Sequence, residues 1–529
     1  MAIIQLVAGS LILIAVYHFI IEPTFISPLS KIPAAHWSAP LSRAWILYER
    51  LQRRETHTIH EAHQRLGPMV RIAPNEVSVN SVDGGLKSVY VGGFEKGNWY
   101  SNVFTNYGIE PMFAMSQHGP HSKRKRMVSN IYAKSTLQSS TGLPTITSVL
   151  LTDRLIPRLR ELSKSGQIVE FYDIFSAITT DFVSSYVFGL KSGSNYVEHP
   201  EMNRKFFRDY KARQMYQFWP QELPDFCNFM KRLGLLDLVI PYWVNSANND
   251  IEDWILSMCD NAEATLNSIE KTGKKPNPED YPTVYAQLRE ALIKETTKTQ
   301  QDLPIDQFVK TQRLTIASEM LDHTLAGFDT SSITLTFLAW QLSRSENKVW
   351  QDKLRSEIAK APDVRDGKAI DALPVLHAII METLRLHAAI PGNQPRITPI
   401  GASLGPPGSV VSGLPGNVRV QAQAWSLHRN PDVFPDPEAW RPDRWLEATE
   451  AQQREMTRWF WAFGSGGRMC VGSNLAMYDM KAIVFSIWGA FKTELVDGEG
   501  MVHAGTYVAE PVGKDGKYCL LRLDASPAI

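Results

Sequence analysis

Cysteine is scarce, with four in 529 residues at Cys227, Cys259, Cys470 and Cys519. They lie far apart and form no C-x-x-C pair, which excludes a disulfide framework and a zinc site of ordinary ligand spacing and fits a reducing compartment. Net charge is lacking as well: 55 Lys and Arg offset 55 Asp and Glu, so there is no basic domain for nucleic acid to bind. Charged residues are only 21% against 44% hydrophobic, a balance that excludes a disordered chain. The sequence also has no P-loop, no dinucleotide fingerprint following a strand, no internal repeat and no low-complexity tract. No linker divides it into the three or four domains that its length suggests at ~150 residues each. Any chemistry must be argued from individual residues and their neighbours.

Polar residues are nearly absent from Ala2 to Ile21, where Gln5, Ser10 and His18 are the clear exceptions. A helix of this length, at ~1.5 Å per residue, spans a hydrocarbon core of ~30 Å. No Lys or Arg precedes the run, it exceeds the apolar region of a signal peptide, and no small-residue cleavage site closes it. Residues 1–21 are therefore expected to be a membrane anchor. Lys31, Arg43, Arg50, Arg53 and Arg54 follow it and predict a cytosolic position for the next domain. Pro23, Pro28, Pro33 and Pro40 make residues 22–40 an expected stiff, extended connector. Residues 41–529 form the globular part.

Helix signals dominate that part. Trp45–Gly67 reads as helical, Met69–Val79 as short strands, and residues 80–118 as loops with short helices. From His121 to about Arg344 the chain reads as mostly helix, with breaks near Gly166, Gly189–Pro200, Pro220–Pro224, Pro241 and 271–282. The longest candidate, Ile305–Arg344, would extend about 57 Å. Its centre is apolar on nearly all sides, as expected of a helix buried through the middle of a domain. A helix is predicted over Leu373–His387, short strands and turns over 390–425, a Pro-rich loop at 431–442, and a helix from Gly472 to Phe491. The fold class is mainly α with a minor β region.

The segment Phe463-Gly-Ser-Gly-Gly-Arg-Met-Cys470-Val-Gly472 is the most informative. Its glycines permit a tight loop with positive φ and close approach to a flat ligand. Cys470 falls just ahead of a helix N-terminus, where free N–H groups and the dipole favour a thiolate and a lowered pKa, with Arg468 adding positive charge. A thiolate is a strong donor to iron. A buried structural cysteine is the blander alternative for a lone Cys. In the central helix, Ala326-Gly-Phe-Asp329-Thr330-Ser331 places a carboxylate where burial is costly unless it has a task or a partner. Thr330 can bond back to the carbonyl four residues earlier and open the helix. Gly327 removes a side chain where a ligand could press. Glu382 and Arg385 share a helix face, which on its own is no more than a surface ion pair.

The spacing F-x-x-G-x-R-x-C-x-G, taken with these segments, closely resembles the cytochrome P-450 superfamily, and the likeness covers nearly the whole chain. The resemblance implies a P-450 fold in which Cys470 is the proximal ligand of heme b, Phe463 lies against the cofactor and Arg468 pairs with a heme propionate. It implies that Asp329 and Thr330, matching [AG]-G-x-[DE]-T-[TS], relay protons during oxygen activation, with Thr330 facing the oxygen and Asp329 facing a water channel. It makes Glu382 and Arg385 an E-x-x-R pair, both bonded to Arg444 of Pro437-Glu-Ala-Trp-Arg-Pro-Asp-Arg444-Trp and bracing the Cys loop. Arg396 is the expected propionate ligand after that helix. In His121-Ser-Lys-Arg-Lys125-Arg126 the family's W/H-x-x-x-R pattern has Lys125 in place of Arg, which loses the bidentate fork. Arg124 or Arg126 are alternatives.

The same analogy draws substrate walls from 99–118, 206–243, Leu325, Phe328, 389–393 and Thr506–Val508. The aromatic residues there (Trp99, Phe104, Tyr107, Phe113, Tyr216, Phe218 and Trp219, with Met115) suggest an apolar substrate. The anchor, the proline connector and the basic segment at 121–126 resemble membrane-bound fungal members. The implied function is insertion of an oxygen atom from O₂ into a small apolar molecule of secondary metabolism, at the endoplasmic reticulum membrane. Electrons would come from NADPH through a separate NADPH–cytochrome reductase. An isomerase or dehydratase that needs no electrons is an alternative, against which Asp329 and Thr330 speak. A gas-binding protein is another, against which the lack of an output domain speaks.

Overall fold

The computed structural model describes residues 2–299, 305–498, 501–513 and 518–525. The apolar N-terminus is helical over Ala2–Val16 and continues in wider turns through Tyr17–Ile26. Pro23 lies inside this second part. It has no N–H to donate and crowds the preceding turn, and widened turns absorb the misfit. The helix thus passes the expected limit at residue 21, and Ile3–Ile26 is long and apolar enough to cross a membrane.

The connector is not a free extended strap. Ser27 caps a short turn at Pro28–Lys31, and Leu29 and Ile32 are buried. Ala34 bridges Arg71, and the Arg71 guanidinium donates to the Pro23 carbonyl at 2.6 Å. The prolines here shape a segment packed on the body, because its alternate apolar residues have a core to enter.

The body is mainly helical, as the sequence predicts. Helices Ala44–Leu51 and Glu55–Leu66 are separated at Arg53, which takes a positive φ of 57°. Met69–Ala73 and Glu76–Val79 form an antiparallel hairpin; Arg419–Gln421 pairs with the second strand in parallel, and Arg396–Ile397 closes the sheet antiparallel. Three antiparallel strands, Val169–Glu170, Leu520–Asp524 and Lys492–Asp497, make a second sheet. The central helix runs unbroken over Ile305–Ser343. Ile316, Ala317, Ile333, Leu335, Phe337, Leu338 and Ala339 on it are wholly buried. It crosses Phe171–Phe188 so closely that a Cβ on Gly327 would sit 2.7 Å from the Val183 side chain. Gly327 therefore serves helix-to-helix approach, and it also lines the cavity described below. None of the four cysteines is paired.

Candidate active site

A cavity of about 600 Å³ lies between the central helix and the Cys470 loop. The loop follows a short helix, Glu450–Trp459, and turns through Gly464 and Gly466, both at φ 69°. A Cβ at Gly466 would fall 2.3 Å from the Tyr90 carbonyl oxygen, so only glycine fits where the loop meets the sheet domain. The Phe463 carbonyl accepts from Cys470 N–H at 2.9 Å, which closes the turn and aims the thiol into the cavity. The helix Ser473–Ala490 begins just after it. Burial pushes the Cys470 thiol above its ordinary value; the N–H groups of Gly472 and Ser473 and the Lys125 ammonium pull it down but do not prevail. The expected lowering is thus not a property of the protein alone, because desolvation of a sulfur anion outweighs a helix N-terminus.

Cations crowd the same end of the cavity. Arg468 donates to the carbonyls of Met115 (2.7 Å) and Ser116 (2.6 Å), and burial takes it down to about 10. Arg396, carried in by its strand, donates to the Tyr100 hydroxyl at 3.0 Å and the Pro395 carbonyl at 2.8 Å. Lys96 is buried between the rings of Tyr100 and Phe113, 3.9 Å from each centroid. Burial, then Arg396 and Arg468, push its pKa well down. Lys125 does not stand free: it donates to the carbonyls of Gly467 (3.0 Å) and Met469 (2.8 Å) and clamps the Cys loop. Arg124 pairs instead with Glu319 at 3.0 Å, and Arg126 is exposed. His121 lines the cavity with Nδ1 unpartnered, held down to about 3 by burial and then by Arg468, Lys96 and Lys125.

Above the cysteine, Thr330 donates its hydroxyl to the Ala326 carbonyl at 2.9 Å, as expected, yet the helix does not open. Asp329 does not face a water channel. It is 3% exposed and accepts from Lys211 Nζ at 2.5 Å, Tyr210 Oη at 3.2 Å and Gln214 Nε2 at 3.3 Å. Lys211 in turn lies 3.7 Å from Glu510, and Glu510 pairs with Arg53. Side-chain exposure climbs from 4% at Asp329 through 13% and 16% to 38% at Arg53. The costly buried carboxylate therefore has a cationic partner, on a row of ionisable groups that reaches solvent.

Glu382 and Arg385 are wholly buried, and the pair is bidentate: Arg385 Nε and Nη2 donate at 2.9 and 2.8 Å. Arg444 Nε donates to Glu382 at 3.1 Å. Only Glu382 bonds Arg444; Arg385 instead donates to the carbonyls of His428, Pro437 and Ala439. His428 links this knot to the Cys loop. Its Nδ1 meets the Arg385 carbonyl at 2.8 Å, and its Nε2 meets Trp461 N–H at 2.7 Å. Burial holds it near a pKa of about 3, so the ring is neutral, donates from Nδ1 and accepts at Nε2.

Of the expected wall residues, Phe104, Phe113, Tyr216, Leu325, Ala389, Ile390, Tyr507 and Val508 line the cavity. Phe328 does not, being packed against Phe206 and Tyr210. Trp99 is spent on Glu222 (2.7 Å) and Tyr107 on the Glu252 carbonyl (2.5 Å). Polar groups line the wall too, among them Asn102, Asn106, Arg213, Gln214, Asn248 and Asp322. Lys96, Lys211 and His428 carry no sequence motif, because their roles depend on partners far along the chain. Asp322 had a usable signal: it lies four and eight residues before Ala326 and Thr330, on one helical stripe.

Residues 38–504 match the family model described as Cytochrome P450. Among curated relatives, the chain is 27% identical to the cytochrome P450 monooxygenase avaI of Aspergillus versicolor, over 81% of this chain and 96% of that one. It is 26% identical to the cytochrome P450 monooxygenase FGM1 of Gibberella zeae, over 94% of each. It is also 26% identical to the cytochrome P450 monooxygenase tazI of Aspergillus terreus, over 88% of each. A lone cysteine loop under a helix bearing an acid and an alcohol, with cations beside it, thus coincides with a family match over most of the chain: it belongs to the cytochrome P450 family, the heme-iron monooxygenases that use O₂ and a redox partner.

Proposed function

We propose that the chain inserts one atom of O₂ into a small, largely apolar natural product, taking electrons from NADPH through a separate NADPH–cytochrome reductase at the endoplasmic reticulum membrane. The observation that carries this reading is the placement of Cys470 and Thr330 on opposing walls of one cavity. The fungal relatives and the Ile3–Ile26 helix support the pathway class and the membrane. So does an exposed apolar group at Phe229, Leu233, Leu238 and Tyr242. The short helix Phe218–Glu222 just before it is tied through Glu222 to Arg43 and Arg50, near the anchor's connector.

The residues present fit heme b. Among the described residues Lys96, Arg396 and Arg468 find only neutral acceptors or ring faces near the cavity, and His121 Nδ1 has no partner; two propionates would satisfy them. Cys470 would hold the iron, and Phe463 would lie against the ring. When bound, heme would supply the redox-active iron needed to activate O₂.

The rest is the work of the chain. Oxygen insertion consumes two electrons and two protons and releases the second oxygen as water. Protons must therefore reach the Thr330 end of the cavity. Thr330 presents a hydroxyl whose own hydrogen is spent on Ala326, leaving lone pairs to hold a water in place. Asp329 takes protons from Lys211, whose neighbour Glu510 lies nearer solvent, and passes them inward through that water.

The test is the coupling of NADPH to product. Thr330→Ala is expected to keep substrate binding and reduction near normal while oxygen consumption yields more hydrogen peroxide and less product. Asp329→Asn is expected to slow oxygen consumption itself by about tenfold, some 1.4 kcal/mol of barrier. Full coupling in Thr330→Ala, or turnover without NADPH, would overturn the reading.

A further inference from the structure

Four acids line the cavity: Glu252, Asp322, Asp329 and Asp479. Three have partners. Glu252 accepts from the Tyr107 N–H at 2.7 Å, Asp329 from Lys211, and Asp479 from the Met480 N–H at 2.7 Å. Asp322 has no hydrogen bond or ion pair among the described residues. Glu319, one turn earlier on the same helix, is engaged by Arg124 and the Met112 N–H. Asp322 therefore stands out as a carboxyl presented to the cavity and left open.

Its place on the helix gives that opening a direction. Asp322, Ala326 and Thr330 recur every four residues and share one face. All three line the cavity and keep some surface toward it. Asp322 is thus ~12 Å along the helix axis from Thr330, at ~1.5 Å per residue. The cavity that it lines also carries aromatic rings. Phe104 stands edge-on to Phe113 at 5.1 Å and lies 6.2 Å from Tyr507. The Tyr507 hydroxyl feels the Asp322 charge. Lys96, whose charge also reaches Asp322, has its ammonium over the Tyr100 and Phe113 rings. A cavity that offers both a carboxylate and ring faces suits a cation, which gains from both. Burial, then the nearby Glu319, push the Asp322 carboxyl up to about 7, against the pull of His323 and Lys96. An incoming positive charge would restore the ionised form.

We propose that Asp322 is a specificity-determining residue that receives a protonated amine, so that the oxidised natural product is an apolar body carrying one basic nitrogen. This rests on the monooxygenase reading and deepens it. A neutral substrate would leave the carboxyl facing an apolar surface with no donor, at a desolvation cost.

The experiment is a binding titration of the full-length, heme-loaded protein, read from its Soret band. The probes are N,N-dimethyl-5-phenylpentylamine and its uncharged isostere 2-methyl-7-phenylheptane. The amine is expected to bind at least tenfold tighter than the isostere. Asp322→Asn should remove that preference while shifting the isostere's Kd less than twofold. The reduced CO spectrum of each variant reports whether heme and thiolate are intact. Loss of the thiolate band in the unaltered protein would defeat the monooxygenase reading itself. With that band present, three outcomes each overturn the Asp322 proposal alone: equal binding of the two probes, equal weakening of both by Asp322→Asn, or a red-shifted Soret band showing that the amine nitrogen ligates the iron.

Discussion

Replacing Glu382 by Gln tests whether the buried knot behind the Cys loop is structural. Its two carboxylate oxygens accept five hydrogen bonds. One takes Arg385 Nη2, the Arg441 N–H and Arg444 Nε; the other takes Arg385 Nε and Trp445 Nε1. A glutamine keeps one acceptor oxygen and turns an NH₂ toward the remaining donors, so at least two are orphaned whichever way the amide points. It also removes the carboxylate that pairs with Arg385, a guanidinium with no exposed surface. Breaking a buried ion pair from one side costs about 3–5 kcal/mol, a large share of the 5–15 kcal/mol that holds a typical domain. Because Arg385 and His428 connect this knot to Trp461, the loss should reach the Cys loop. The expected result is a urea midpoint lowered by an amount equivalent to several kcal/mol, and less heme per polypeptide. The remaining heme-loaded fraction should keep near-normal coupling of NADPH to product. A variant with unchanged stability and heme content but impaired coupling would refute this account and make Glu382 a participant in the chemistry.

Cys470→Ala should abolish the red-shifted Soret band of the reduced CO complex, measured by difference spectroscopy; its survival would mean another ligand. Deleting residues 1–21 should release much of the protein from sedimenting membranes with heme incorporation intact, the exposed apolar group near Leu238 retaining a remainder. Acid should destabilise the fold through His428. Its folded pKa lies near 3 against 6.5 unfolded, so its contribution is fully present above pH 6.5 and is lost as pH falls toward 3. Between pH 6.5 and 5 that amounts to about 2 kcal/mol, and His428→Gln should flatten this part of the stability–pH curve in thermal melts.

The parts legible in the sequence were those that depend on local spacing. The Cys470 loop needs glycines at fixed offsets from a helix start. The central helix announces itself by an apolar run that no proline interrupts, and Glu382 and Arg385 meet because three residues make most of a helical turn. What stayed hidden was contact across distance. Nothing near Asp329 foretells Lys211, which approaches from another helix 118 residues away, or the Glu510–Arg53 pair beyond it. Aromatic composition overstated the apolar wall. Trp99, Tyr107 and Phe328 have the right chemistry but are committed to packing and to acids elsewhere, whereas polar residues of the same segments turn inward. The proline connector misled for a related reason: prolines predict stiffness, but only tertiary structure shows whether a stiff segment is free or seated.

That seating sets the length of the leash. With Leu29 and Ile32 plugged into the body and Arg71 holding the carbonyl of Pro23, no loose residues separate the apolar helix from the catalytic part. Were the apolar helix to span a bilayer, this seating would restrict how the body swivels beneath it. On a bilayer, one fixed side would always be turned to the lipid, and encounters with an electron donor on the same sheet would become a search over an area rather than through a volume. Lengthening the 27–34 segment with a flexible insert would then slow electron delivery while leaving the cavity and its cysteine untouched.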